Sequence, residues 1–230
     1  MKTNIKKKNK ILNISITGCS IVLVFLLMLS ASNGSLKGIM GNSVYGNENY
    51  NIGNKVNYAN NNWYIISEND KSVTLLKETS LSKNEIESLG LSINVSEYGQ
   101  VAYDYNNQCN DTDDSSCTIS LNDSQVGRIL EAWQKQNLNI DELITVDDYT
   151  IRLISNDDVD RLENNAWLYL SQYYWTMISP NYSGSNIYGL YPDHQLHMQM
   201  VYDGTNDISG GLVRPVINVN KKVLSKTNIY

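Results

Sequence analysis

The sequence predicts an α+β domain, mostly antiparallel sheet with two or three short helices, carried behind a hydrophobic leader. Three observations predict it. Short β-type runs separated by turn residues open and close the domain. Helical periodicity is confined to brief stretches between them. Strands and helices do not alternate regularly, as a parallel βαβ sheet would require.

The leader comes first. Lys2, Lys6, Lys7, Lys8 and Lys10 precede a charge-free stretch from Ile11 to Ala31, whose densest part is Ile21 to Leu29. A basic n-region before an apolar run is the export pattern, and lysines held inside place the C-terminal side outside. Ser30, Ala31 and Ser32 suit signal peptidase. An uncharged stretch of about 20 residues also spans a bilayer. Residues 1–32 therefore read as a signal peptide or an N-terminal membrane anchor, and both readings stay open. If uncleaved, residues 11–31 are the membrane contact. Residues 33–52, rich in Gly, Asn and Ser, read as a flexible linker. Residues 53–230 read as one extracellular globular domain, either secreted or held at the outer face of the cytoplasmic membrane.

The chain carries 18 Lys+Arg against 24 Asp+Glu. Setting the five leader lysines aside leaves 13 against 24, a net of −11. Such a surface repels nucleic acid. Cys109 and Cys117 form an even pair in an exported segment, and a disulfide is the natural reading. Closing nine residues would contribute roughly 2.5 kcal/mol. Zinc is the alternative, but the spacing is wrong for a knuckle and no further ligand lies nearby in sequence. Between the two cysteines, Asp111 and Asp113 are weak calcium candidates. The loop offers oxygens but lacks the EF-hand glycine and distal glutamate. No other cofactor is indicated.

Within the domain, Lys55–Tyr58, Trp63–Ser67 and Val73–Leu76 read as a three-strand meander, with turns at Ala59–Asn62 and Asn69–Asp70. Ser82 with Glu85 is a capping box ahead of Ile86 and Leu89. The clearest helix begins near Asp123, with Val126, Ile129, Leu130 and Trp133 at i, i+3, i+4 and i+7. Tyr149–Ile154 reads as a strand, and Ser155 caps a short helix with Asp157 and Asp158 in its first turn. Strand signals return at Tyr173–Ile178, Ile187–Tyr191, Leu196–Tyr202 and Leu212–Val219.

The 16 Tyr and 4 Trp contrast with a single Phe, Phe25 in the leader. Tyr182, Tyr188, Tyr191 and Tyr202 lie among Ser, Asn and Gly between Asn181 and Gly211, the composition of adaptable recognition loops. His194 and His197 are spaced so that on a strand they would face opposite sides, which disfavours a shared metal. Arg214 sits among apolar strand residues beside Pro215, and a half-buried Arg needs a carboxylate or several carbonyls. Trp175 is expected in the core. No nucleophile elbow, P-loop or dinucleotide fingerprint is present, and the sequence designates no catalytic residue.

Three segments, Thr150-Ile151-Arg152-Leu153-Ile154-Ser155, Tyr173-Tyr174-Trp175-Thr176-Met177-Ile178-Ser179-Pro180 and Val213-Arg214-Pro215-Val216-Ile217-Asn218-Val219, form a recognisable series. It resembles uncharacterised exported domains of low-GC Gram-positive bacteria, themselves distantly like the C-type-lectin-like fold of formylglycine-generating enzymes. The resemblance spans roughly Gly53 to Val223 and implies that fold, with Trp175, Arg214 and Pro215 as scaffold residues. Formylglycine-generating enzymes resemble copper oxidases with a late cysteine pair, whereas no cysteine here follows Cys117. Calcium-dependent lectins of this fold carry Glu-Pro-Asn or Gln-Pro-Asp with Trp-Asn-Asp. This chain has Tyr191-Pro192-Asp193 and Thr205-Asn206-Asp207, each one residue short.

The resulting expectation is a non-enzymatic, surface-displayed binding or adhesion domain. It would recognise a protein or glycan through Tyr182, Tyr188, Tyr191, Asp193, Asn206 and Asp207. A degenerate enzyme of the formylglycine-generating-enzyme-like fold and a structural envelope protein are the alternatives.

Overall fold

A computed structural model describes residues 50–104, 120–178, 186–200 and 210–224, all within the unit Asn49–Tyr230. The leader, Cys109, Cys117, Asp111, Asp113, Tyr182, Tyr202, Asn206 and Asp207 lie outside the described residues. Among the described residues, no helix is long and apolar enough to cross a membrane.

The opening meander forms as its turn chemistry dictates. β1 (Lys55–Tyr58) and β2 (Asn61–Glu68) are joined through Ala59 and Asn60, both at positive φ, as a two-residue hairpin turn requires. β3 (Ser72–Lys77) follows after a turn in which the Asn69 side chain accepts from the Lys71 and Ser72 amides. Every residue of β3 is buried, because both faces of its sheet are covered. The sheet has five strands in the order β1-β2-β3-β8-β4 and is antiparallel throughout, with β8 (Val216–Asn220) inserted between β3 and β4 (Ile151–Arg152). A second antiparallel sheet runs β5 (Tyr174–Trp175), β6 (Asn186–Leu190), β7 (Leu196–Met200). The architecture is α+β with antiparallel sheets and few helices.

On one face of the large sheet, Trp63, Ile65, Val73, Leu75, Ile217 and Val219 join Val126, Ile129, Leu130 and Trp133 of α2 (Gln125–Asn137) in one buried cluster. Trp63 meets Trp133 edge-on at 6.1 Å, and its indole N–H donates to the Tyr58 carbonyl at 3.0 Å. A buried Trp is thus left with no idle polar atom. The helix starts at its Ser124 cap, after a 3-10 turn at Leu121–Asp123. Gly127 permits that junction, since a Cβ there would fall 1.8 Å from the Leu121 carbonyl oxygen.

On the other side, Ile66, Leu76 and Val216 pack with Ile154, Val159, Leu162, Leu168, Tyr174 and Leu190. Each fully buried large side chain contributes roughly 1.5–3 kcal/mol. Val159 and Leu162 come from α3 (Asn156–Leu162), which opens on a capping box between Ser155 and Asp158. Asp158 also binds Arg152 at 2.5 Å and Arg161 at 2.8 Å. Burial pushes its carboxyl up, but Arg152 and the Ser155 bonds outweigh that and hold it below the ordinary range. Asp157 stays exposed. The short α1 (Lys83–Glu87) carries the capping box expected of Ser82 and Glu85.

Several expected boundaries shift. The strand expected over Tyr149–Ile154 shrinks to Ile151–Arg152, because the chain then leaves the large sheet and Ile154 bridges Thr176 in parallel. That crossing also cuts the Tyr173–Ile178 strand to Tyr174–Trp175. The Leu212–Val219 strand starts instead at Val216. Pro215 has no N–H for the ladder, although its carbonyl still accepts from Lys77 at 2.9 Å. Tyr50, placed in the linker by composition, is 8% exposed and packs in the core, its hydroxyl reaching the Lys221 carbonyl at 3.4 Å. Lys221–Leu224 forms a terminal helix, α4, that periodicity did not announce.

Candidate aromatic surface on the small sheet

The hairpin β6–β7 is closed by Tyr191–Gln195. The Tyr191 amide donates to the Gln195 carbonyl at 3.0 Å, and the His194 amide donates to the Tyr191 carbonyl at 3.1 Å. His194 takes φ +68, a left-handed conformation for which His is among the more tolerant residues. Asp193 fixes the turn with both oxygens. Oδ1 accepts from the Gln195 amide at 3.1 Å, and Oδ2 lies 2.8 Å from His197 Nε2. His197 is the main reason the Asp193 carboxyl sits below its ordinary range.

Around this turn the rings are ordered. Tyr173 and Tyr191 stack with centroids 4.6 Å apart and planes 5° off parallel. His197 meets Tyr191 edge-on at 4.6 Å. Inward, Tyr173 meets Trp175 edge-on at 5.6 Å, and Trp175 meets Tyr103 at 5.4 Å. One aromatic chain therefore runs from the core to the exposed turn. Alongside it, Tyr169 stacks on His194 at 3.8 Å and 7°. Burial raises the Tyr173 and Tyr191 hydroxyl pKa values, so both stay protonated donors across the physiological range.

Two glycines make room for this chain. A Cβ on Gly189 would fall 2.7 Å from Tyr173 Cδ2, and one on Gly211 would fall 2.7 Å from Tyr173 Cε2. The Cδ2–Cε2 edge of the Tyr173 ring thus lies against two glycines, where any side chain would collide with it. The inner anchor is equally firm, since Trp175 is fully buried and donates to the Val101 carbonyl at 2.8 Å.

Of the residues expected to bind ligand, Tyr191 and Asp193 come together through His197. Tyr188 does not join them. It is half-buried in mid-strand opposite Met198, and strand alternation turns it away from the face of Gly189 and His197. The segment expected to present loops is therefore partly a hairpin. Tyr173, Tyr169 and the two histidines are the additions that the structure makes to the site. His194 lies in the turn rather than on a strand, and the two imidazoles have different partners. Among the described residues, no group of three His, Cys, Asp or Glu is placed to hold a metal ion.

Arg214 was expected to be half-buried and held by a carboxylate or several carbonyls; it is fully buried, and carbonyls hold it. Its guanidinium donates to four carbonyls: Lys77 at 2.7 Å, Leu168 at 2.6 Å, Glu78 at 3.0 Å and Trp167 at 3.1 Å. It also lies 5.3 Å from the Tyr174 ring centroid. Arg214 ties the end of β3 to the Ala166–Leu168 turn beneath the small sheet. Comparison with protein-family models, curated proteins and solved structures gives no significant match.

Proposed function

We propose that this chain is an exported, surface-displayed binding domain of C-type-lectin-like fold that recognises a protein or glycan. The ring array at the β6–β7 turn is the surface that does so. The observation that carries this reading is the continuous chain Tyr103–Trp175–Tyr173–Tyr191–His197, anchored in the core and ending at a half-exposed turn. Stacked, clamped rings lose little conformational entropy on binding. They offer flat apolar faces with polar edges, the economy that favours Tyr in recognition surfaces. Tyr182, Asn206 and Asp207 remain ligand-binding candidates on sequence grounds alone. The export reading rests on the lysine-flanked leader.

The test is a glycan and surface-protein array probed with the full chain and with Tyr191→Ala. Capture by the native chain that falls at least tenfold in the variant supports the reading. Equal capture by both sinks it. The Asp193–His197 pair favours a second reading, a degenerate enzyme, because a carboxylate-bonded imidazole is a proton-transfer arrangement. Turnover of an arrayed glycan or ester that is lost in His197→Ala would favour that reading over binding alone.

A further inference from the structure

A groove of about 320 Å³ opens between α2 and the segment leading into β4. It shares no residue with the ring array. Leu130 and the hydrogen-bonded pair Gln134–Thr150 are among the residues that line it. Gln134 is 6% exposed. Its amide donates to the Thr150 hydroxyl at 2.9 Å, and that hydroxyl lies 3.2 Å from Gln134 Oε1. An amide has two N–H donors and two oxygen lone pairs, so this pairing engages only half of its capacity. Tyr149, half-buried and packed against the core cluster, also lines it. It is held there by a two-residue turn in which Val146 and Tyr149 exchange both backbone bonds at 2.9 Å, with Asp147 and Asp148 at φ +50 and +68. Two consecutive non-glycine residues at positive φ are uncommon.

The charged side chains on the lining are Glu131, paired with Lys135 at 2.5 Å, and Asp148. Among the described residues no cation lines the groove, so an anionic ligand gains nothing from them and meets the Asp148 carboxylate. The volume lies at the lower end of small-ligand sites. Amide, hydroxyl, carboxylate and one aromatic ring beside the apolar Leu130 match a neutral, hydroxyl-rich ring. We infer that this groove is a second binding site, for a single uncharged sugar ring, with Gln134, Thr150 and Asp148 bonding its hydroxyls and Tyr149 covering one face.

Saturation-transfer NMR on the full chain, with N-acetylglucosamine as the neutral probe and glucose 6-phosphate as the anionic one, tests this. Transfer to N-acetylglucosamine with little to the phosphate is expected. Thr150→Val should weaken it about tenfold, the loss of roughly one hydrogen bond. Asp148→Asn, an exposed change compatible with the left-handed turn, should weaken it about threefold by replacing a charge-assisted bond with a neutral one. Tyr191→Ala should leave it unchanged. No transfer to N-acetylglucosamine, equal transfer to both sugars, or transfer indifferent to both groove variants would overturn the assignment. So would loss of transfer in Tyr191→Ala, which would return the signal to the hairpin.

Discussion

The two sheets handle their aromatic and polar side chains in opposite ways. In the large sheet most buried polar tips are consumed internally, Asn218 Nδ2 being an exception among the described residues. The Trp63 indole bonds the Tyr58 carbonyl, and Thr74 donates to Asn218 across β3 and β8 at 2.9 Å. Arg214 spends its guanidinium on four carbonyls at the end of β3 and the neighbouring turn. In the small sheet the chain of rings instead continues outward until its last members, Tyr191 and His197, are partly exposed. The difference teaches where stability and recognition are separable. Contacts that satisfy buried polar groups hold the fold, whereas stacked rings at a turn supply contact area that a partner can use.

Arg214 should give the largest effect. Arg214→Met leaves four carbonyls without their shared donor and is expected to cost about 3–5 kcal/mol in urea unfolding. A loss near the scatter of surface mutants would erase the distinction between the sheets. Asp158→Asn comes next, at about 2–3 kcal/mol, because Arg152 loses its buried carboxylate. The same group sets an acid dependence. Its native carboxyl is held below the unfolded value, so its contribution is fully present above about pH 4 and fades as pH falls through the lower native value. A native-minus-Asn difference in stability that stayed constant from pH 7 to pH 2 would contradict this.

Gly189→Ala sharpens the comparison from the other side. The added methyl meets the Tyr173 ring at 2.7 Å, which should cost about 1–3 kcal/mol by overpacking and also displace the stacked pair, so that capture falls with stability. Tyr191→Ala is expected to be the mildest for the fold, about 1 kcal/mol in thermal unfolding, while affecting capture most.

Local features were legible in the sequence. The meander, the capping box at Ser82, the helix cap at Ser155 and the α2 stripe all follow from spacing within a few residues, and each formed near its expected place. Non-local features were not. β8 pairs between β3 and β4 across a long separation that no periodicity reports. The chain's move from one sheet to the other at Ile154 shortened two expected strands. The same holds for the site. Tyr191 stood out by composition and Asp193 by its place in the Tyr191-Pro192-Asp193 motif, but Tyr173 gained its role from Gly189 and Gly211, which approach it only in space. A glycine amid strand residues was the available signal, since it often marks close approach. Tyr188 misled for a related reason, because composition does not say which face of a strand a ring occupies.

If the clamped rings at the β6–β7 turn bind a partner, as proposed, binding and folding should respond separately to the loss of a ring. The most direct test measures capture and the unfolding midpoint together, on the same preparations of the native chain and Tyr191→Ala. Capture should fall at least tenfold while stability changes by only about 1 kcal/mol. Unchanged capture, or a capture loss that appears only when the variant unfolds, would contradict the proposal.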